Sequence, residues 1–528
     1  MKNKKWLLAL VLTLVMAILA ACGSDDSSDD SSSDGGDSSS ADQVLVFGRG
    51  GDSVSLDGAA VTDGESIKVT QNIYETLLKF NQDDTTVEAG LAKEWDVSPD
   101  GLTYTFKLQE GVKFHDGTDF NAEAVKANFE RWSKGAKDEF YYYNSMFRAE
   151  DKDLITSIET PDASTVVITL ARPQAPFLKN IAMAVFGIAS PAAFDTLGDN
   201  PVGTGPFKFK EWKRNDSITL VKNEEYWQEG LPKLDTLIFR AIPDNSARLN
   251  ELIAGSIDLA DGINPSDAST ISGNADLQLI ERPSMNVGYL GLTSTRKPFD
   301  DVKVRQAVNY AIDKQAIVDA FFEGYADVAK NPMPPAISGY NDELEGYTFD
   351  PEKAKALLAE SSYNGEELEL WAMPVPRPYM PDGQKVAEAI QKNLEDVGIK
   401  TKIVSYEWAT YLEKAAAGEA DMFLLGWTGD NGDADNFLYA LLDEDNIGSN
   451  NYSYYKNDEV HNLLISAQSE VDEEKRNELY KQAQVLIKED APWVNLAHST
   501  PLLAATAKVQ GYVPHPTGSE SLENVSIK

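Results

Sequence analysis

An α/β fold divided into more than one lobe is what this 528-residue sequence predicts, on three observations. Between residues 350 and 430, strand and helix patterns alternate at βαβ lengths. The amino-terminal half mixes separate strand patterns with a capped helix. The part able to fold is roughly 485 residues, more than one compact core accommodates, which implies two or three lobes.

The elements follow in chain order. Val44 to Gly48 is a short apolar strand, and Thr103 to Leu108 alternates in the strand period. Asn121 caps a helix running to Trp132, with Val125, Phe129 and Trp132 on one face. Thr165 to Leu170 is a strand of β-branched residues. Asp350 and Pro351 supply an N-cap and first-turn proline to a helix carrying Ala354, Leu357 and Leu358. A strand from Leu368 to Met373 follows, then a helix from about Gly383 to Val397 that stops at Gly398. Ile399 to Ser405 is strand, Trp408 to Ala417 is helix stopped by Gly418, and Asp421 to Trp427 is strand. This succession implies βαβ crossovers and a mainly parallel sheet, with a ligand crevice beyond the carboxyl ends of its strands. No repeat of solenoid length is present.

The first residues address the compartment. Lys2, Lys4 and Lys5 precede an apolar or neutral run from Trp6 to Ile18, then the small residues Ala20 and Ala21. This is the layout of a signal peptide over residues 1–21, its apolar run being shorter than the ~20 residues of a spanning helix. Leu19-Ala20-Ala21-Cys22 resembles the lipobox of bacterial lipoproteins. Cys22 is the single cysteine, so it builds neither an internal disulfide nor a thiolate metal site. It is expected to carry the lipid, and two or more acyl chains anchor stably. Residues 22–42 are Ser, Asp and Gly in the main and read as a disordered, charge-extended tether.

Residues 1–21 hold three lysines and no acid, so without them the balance is 44 basic to 85 acidic residues. The tether holds seven of those aspartates, leaving −34 on the rest. Such a charge repels nucleic acid and excludes a polybasic grip on anionic lipid.

Catalytic patterns are scarce. His115, His461, His498 and His515 are scattered without metal-ligand spacing, and there is no GxSxG, Walker or GxGxxG motif. Ser453 to Lys456 fits SxxK without its companion motifs, and the acidic run Asp430 to Asp435 misses the EF-hand pattern. No catalytic residue, metal or cofactor is expected. Two charges stand out by position, because Arg377 and Asp430 each follow a strand end of one sheet. A zwitterionic peptide offers a carboxylate that a guanidinium grips bidentately and an ammonium that a carboxylate accepts. Tyr379, Trp408 and Trp427 either wall that crevice or pack in the core, Tyr379 favouring the crevice because it sits in the loop.

Several segments carry a family resemblance: Asn72 to Leu77, Val112 to Gly117 with Phe120 to Glu123, Asn200 to Phe207, and Pro298 to Ala307. From about residue 43 onward the chain resembles the family 5 extracellular solute-binding proteins of ABC importers. Trp371 to Tyr379 and Gly426 to Asp433 look like the dipeptide-binding branch. The resemblance implies a periplasmic-binding-protein type II-like flytrap of two lobes and three domains. Domain I is then discontinuous over 43–77, 200–285 and 501–528, domain II spans 78–199, and domain III spans 286–500. It further implies that Arg377 binds the peptide carboxylate, Asp430 binds its amino group, and the edge around Gly426, Trp427 and Thr428 holds the backbone. The implied partners are a small peptide and the permease of an ABC importer, for a monomer lipid-anchored through Cys22 on the outer face of the cell membrane.

Three departures stand against that branch: no disulfide is possible, Ala434 replaces a usual proline, and Gly48 to Asp57 differs. A longer peptide, glutathione, haem or a nickel chelate are alternative solutes on the same scaffold. A surface peptidase would need the missing nucleophile or metal motif, and a signalling lipoprotein would leave the crevice vestigial.

Overall fold

The computed structural model describes residues 43–136, 139–149 and 152–528. The signal peptide, Cys22 and the tether therefore lie outside the described residues. Among the described residues, no helix is long and apolar enough to cross a membrane.

Alternating strands build the first sheet. Its seven strands run in the order Phe207–Lys213, Ser217–Lys222, Thr236–Ala241, Val44–Arg49, Leu259–Ile263, Leu502–Thr506, Leu277–Glu281. Leu45, Phe47, Leu237, Phe239 and Leu259 bury one face, while Ala260, Ile263 and Ala504 bury the other. Val44–Arg49 pairs in parallel with both neighbours, and the remaining pairings are antiparallel. A four-stranded antiparallel sheet follows in the order Ala92–Val97, Thr103–Leu108, Thr165–Leu170, Ile155–Asp162. The Ala122–Lys134 helix packs on it through Val125, Phe129 and Trp132, and the Asn121 side chain caps its start.

Three of the quoted family segments, Asn72 to Leu77, Val112 to Gly117 and Asn200 to Phe207, meet where these two bodies join. Glu75 accepts from Thr204 Oγ1 and Tyr226 OH, each at 2.8 Å, and from Trp227 Nε1. His115 Nε2 lies 2.9 Å from the carbonyl of Gly205. These residues hold the joint.

The six-stranded sheet positions the site. Its order is Ala326–Val328, Trp493–Ser499, Asn286–Leu292, Met422–Thr428, Glu367–Trp371, Lys400–Val404. The strands expected from 368 to 427 appear within two residues of their predicted ends, joined by the helices Gly383–Asp396 and Trp408–Ala416. Gly398 and Gly418 take φ of +92° and +68°, the left-handed values that let the chain turn out of each helix. The mainly parallel sheet is corrected: Glu367–Trp371 pairs in parallel with both its neighbours, but the other three pairings are antiparallel. Crossover helices dictate direction only for the strands they join. Asn286–Leu292 and Trp493–Ser499 arrive from distant sequence and are free of that constraint.

A buried ion pair fastens the carboxyl-terminal segment to the seven-stranded sheet. Arg282 donates to Glu520 at 2.6 Å, the two residues being 4% and 5% exposed. Arg282→Met should lower stability by about 3–5 kcal/mol, because it strands a buried carboxylate. Urea unfolding measures this, and adding Glu520→Gln should recover part of the loss. An unchanged midpoint in the single variant would show that the carboxylate is not buried.

Candidate functional site

The site is built around the free end of one strand. Met422–Thr428 pairs along its whole length with Asn286–Leu292, but with Glu367–Trp371 only as far as Phe423. On that second side the Leu424 carbonyl receives the Tyr411 hydroxyl at 2.7 Å. Backbone groups alternate in direction along a strand, so the N–H and C=O of Gly426 and Thr428 point to the same side. No strand covers them there among the described residues. The result is a short open edge facing a cavity of about 1320 Å³.

Two facing glycines let the Pro374 to Met380 loop settle onto this edge. Gly288 pairs with Gly426. A Cβ on Gly288 would come within 2.3 Å of the Tyr379 carbonyl, and one on Gly426 within 2.2 Å of the Tyr379 ring. Gly426 therefore has a packing role besides its open backbone, which the sequence did not reveal. Arg377 and Met380 exchange backbone hydrogen bonds at 3.1 and 2.9 Å, closing the loop. The Arg377 guanidinium is exposed, 5.9 Å from the Trp408 ring, and its Nη1 donates to the neighbouring Pro376 carbonyl at 3.2 Å. It has no carboxylate partner among the described residues. Trp408, half-buried at its helix start, stacks on Tyr411 at 5.7 Å.

Asp430 lies just past the strand. Asn436 Nδ2 donates to its Oδ2 at 3.1 Å, while the Asn436 side-chain Oδ1 accepts from the Asp430 amide at 2.9 Å and Trp427 Nε1 at 3.1 Å. Tyr142, from the Tyr141–Phe147 helix of the body that carries the four-stranded sheet, donates to Oδ1 at 3.3 Å across the cleft. No cation pairs with this carboxylate among the described residues. Burial pushes it up to about 6, against the opposing pull of the Asn436 and Tyr142 hydrogen bonds.

The neighbouring acid is already spent. Asp433 meets Arg476 bidentately at 2.9 and 2.6 Å, and this guanidinium overcomes the burial cost and holds Asp433 below the usual carboxylate range. Lys179 donates to the Gly432 carbonyl and Asn431 to Asn180, each at 2.8 Å, so the acidic loop also bridges the cleft.

All seven predicted binding residues, Arg377, Tyr379, Trp408, Gly426, Trp427, Thr428 and Asp430, line the same cavity. Tyr142 and Asn436 were missed. The run Phe140 to Tyr143 was the available signal, since four consecutive aromatics exceed what one helix face buries. The opposite wall balances its own charges: Lys68 lies 2.5 Å from Asp261 and 3.4 Å from Glu65. Asp443, Asp445 and His461 bring possible metal ligands within 4.8 Å of one another. Asp443 already accepts from His461 and from the Asp445 amide, and none of the three lines the cavity.

An aspartate raised by burial costs folding energy once ionised. Asp430→Asn should therefore melt at the same or a higher temperature than the parent at pH 7.5. The difference should shrink as pH falls below about 6 and vanish only below ~3.9, where the carboxyl is protonated in the unfolded chain as well. A clear fall in Tm at pH 7.5 would show that the charge serves the fold.

Residues 86–449 match the family described as bacterial extracellular solute-binding proteins, family 5 middle. The chain is 41% identical to the dipeptide-binding protein of Escherichia coli over 86% of its own length and 89% of that protein's. It is 38% identical to heme-binding protein A of Haemophilus influenzae over 98% of each. Among solved structures, the DppA protein of Helicobacter pylori in complex with the peptide STSA superposes with a TM-score of 0.82 at 36% identity, covering 92% of this chain and 98% of that one. The dipeptide-binding protein of a Pseudoalteromonas strain in complex with Met-Leu gives 0.83 at 30% identity, covering 92% and 100%. The chain belongs to the family 5 extracellular solute-binding proteins, which serve ABC importers from outside the cytoplasm.

Proposed function

We propose that the protein captures dipeptides and presents them to the permease of an ABC importer. The observation that carries this reading is Asp430, a half-buried carboxylate with hydrogen bonds from both sides of the cleft and no counter-charge among the described residues. An ammonium supplies that charge, and burying either group alone is costly. The ligand backbone then adds to the open edge at Gly426 and Thr428 as a short extra strand, and Arg377 takes the carboxylate. Tyr379, Trp408 and Trp427 supply apolar walls with polar tips. Relatives and structural neighbours whose names or contents are peptide-directed support the same reading.

The cavity of about 1320 Å³ favours a second reading, tripeptides or tetrapeptides, because ligand pockets usually measure ~300–1,000 Å³. The domain division expected from sequence belongs to the proposal too. Domain I is the seven-stranded body, domain II the four-stranded one, and domain III the six-stranded one. The chain acts as a binder without catalysis, as a monomer tethered at Cys22.

Titration calorimetry with Ala-Ala, Ala-Ala-Ala-Ala, glutathione and haem tests the ligand. Ala-Ala should bind tightly, and tight binding of glutathione or haem alone would sink the reading. Asp430→Ala should cost at least about 30-fold, the penalty of a stranded buried charge, and Arg377→Ala about 10- to 100-fold. Parental affinity in either variant would remove that residue's role. Affinity should hold steady near neutral pH and fall up to about tenfold per unit below ~6, because protonated Asp430 must then release its proton to meet the ammonium.

The anchor is tested separately. Cys22→Ser should shift the protein from the membrane fraction to the soluble extracytoplasmic fraction. Persistent membrane retention would refute the lipid anchor.

A further inference from the structure

A second, much smaller pocket lies in the body that carries the six-stranded sheet. It forms where the start of the Lys314–Phe321 helix, the end of the Glu473–Asp490 helix and the Trp493–Ser499 strand meet. None of its lining residues lines the cleft. Its volume of about 10 Å³ suits one body the size of a water molecule. Three lysines line it, Lys314, Lys330 and Lys488, and no aspartate or glutamate does. In a chain with a net charge of −38, three cations converging without an acid are out of keeping with the rest of the molecule.

Lys314 is the buried member, 7% exposed. Its ammonium donates to the Ala329 carbonyl at 3.1 Å and has no other hydrogen-bond or ion-pair partner among the described residues. An ammonium has three donors, so two of them meet no protein acceptor there. The nearby helix end is no substitute, because each of its last four carbonyls already receives a hydrogen bond. Ile487 accepts from the Ala491 amide, Lys488 from the Tyr347 hydroxyl, Glu489 from Gln306 and Asp490 from Arg305. Burial alone pushes Lys314 down to about 8, with no carboxylate pulling it back up. Trp493 lines the pocket too, and its buried Nε1–H has no acceptor among the described residues. Lys488 is half-buried with its ammonium 5.3 Å from the Tyr347 ring, and Lys330 is exposed.

We propose that this pocket is a halide site, with chloride as its occupant, held by the Lys314 ammonium and by the field of Lys330 and Lys488. Chloride carries the missing charge and accepts several hydrogen bonds at once, so it serves both open donors. Burying an ammonium without a counter-charge is costly, and an anion in contact offsets most of that cost. The volume excludes phosphate, sulfate and carboxylates, which all need room for more than one heavy atom. Water is the competing occupant, because Asn495 presents a buried Oδ1 that meets no donor among the described residues and that water alone would serve. The charge decides for chloride, since water leaves the ammonium uncompensated. The ion then ties the start of one helix to the end of another, and so stabilises the fold without touching the cleft.

Bromide replaces chloride and scatters anomalously, so crystals of the protein grown in sodium bromide locate the site: a bromide peak should contact Lys314 Nζ. In solution, exchanging sodium gluconate for sodium chloride at constant ionic strength should raise Tm by about 1–2 °C along a saturating curve. Gluconate is too large for the pocket, and matched ionic strength removes general screening. Lys314→Met keeps most of the side-chain length without the charge. It should melt at or above the parent in gluconate and lose the saturating response. Lys488→Gln should keep the response but weaken the apparent chloride affinity about threefold. Three results would overturn the proposal: a water without anomalous signal beside Lys314, a bromide peak with no saturable response in solution (an adventitious ion only), or equal responses in the parent and Lys314→Met. If Lys314→Met fails to fold, the parent's own peak and melting curve still decide between chloride and water.

Discussion

The carboxylate of Asp430 receives hydrogen bonds from opposite sides of the cleft, from Asn436 beneath it and from Tyr142 above. Neither donor neutralises it. A charge held this way is costly without a cation, and the Tyr142 donor also ties it to the body across the cleft. The open strand end lies just before that group in the chain. On the proposed reading, ligand affinity and the contact across the cleft draw on the same carboxylate.

The surrounding charges make this arrangement possible by cancelling among themselves. Asp433 is taken by Arg476, Asp261 by Lys68 and Arg282, and Glu520 by Arg282. Were Asp433 also unpaired, two adjacent carboxylates would compete for one ammonium. The glycine pair makes the steric counterpart. Only where Gly288 faces Gly426 can the Tyr379 loop lie against the sheet, which brings Arg377 to the cleft without covering the strand edge.

Much of this was legible from local pattern. Capping residues at Asn121 and Asp350, strand alternation at Thr103–Leu108 and Thr165–Leu170, and the strand–helix alternation around residues 367–428 act over short range, and the elements formed as expected. The direction of the six-stranded sheet was misread, because half its strands are separated by long stretches and their pairing is decided by packing. Arg377 and Asp430 could be named because each follows a strand end. Tyr142 could not, since it lies 288 residues from Asp430 and no spacing rule reaches that far.

By itself, the sequence determined that the chain is an α/β protein, that it carries a cation and an anion at neighbouring strand ends, and that its segments resemble one binding family. These follow from composition, periodicity and residue chemistry, which are written locally. Only the tertiary structure decided which aspartate in the acidic loop is claimed by a cation and which strand edge stays open among the described residues. Each of those depends on what other parts of the chain have already claimed: Arg476 on Asp433 and Tyr411 on Leu424. A binding site consists of the groups that folding leaves unsatisfied, so it becomes visible only when every other partnership is in place.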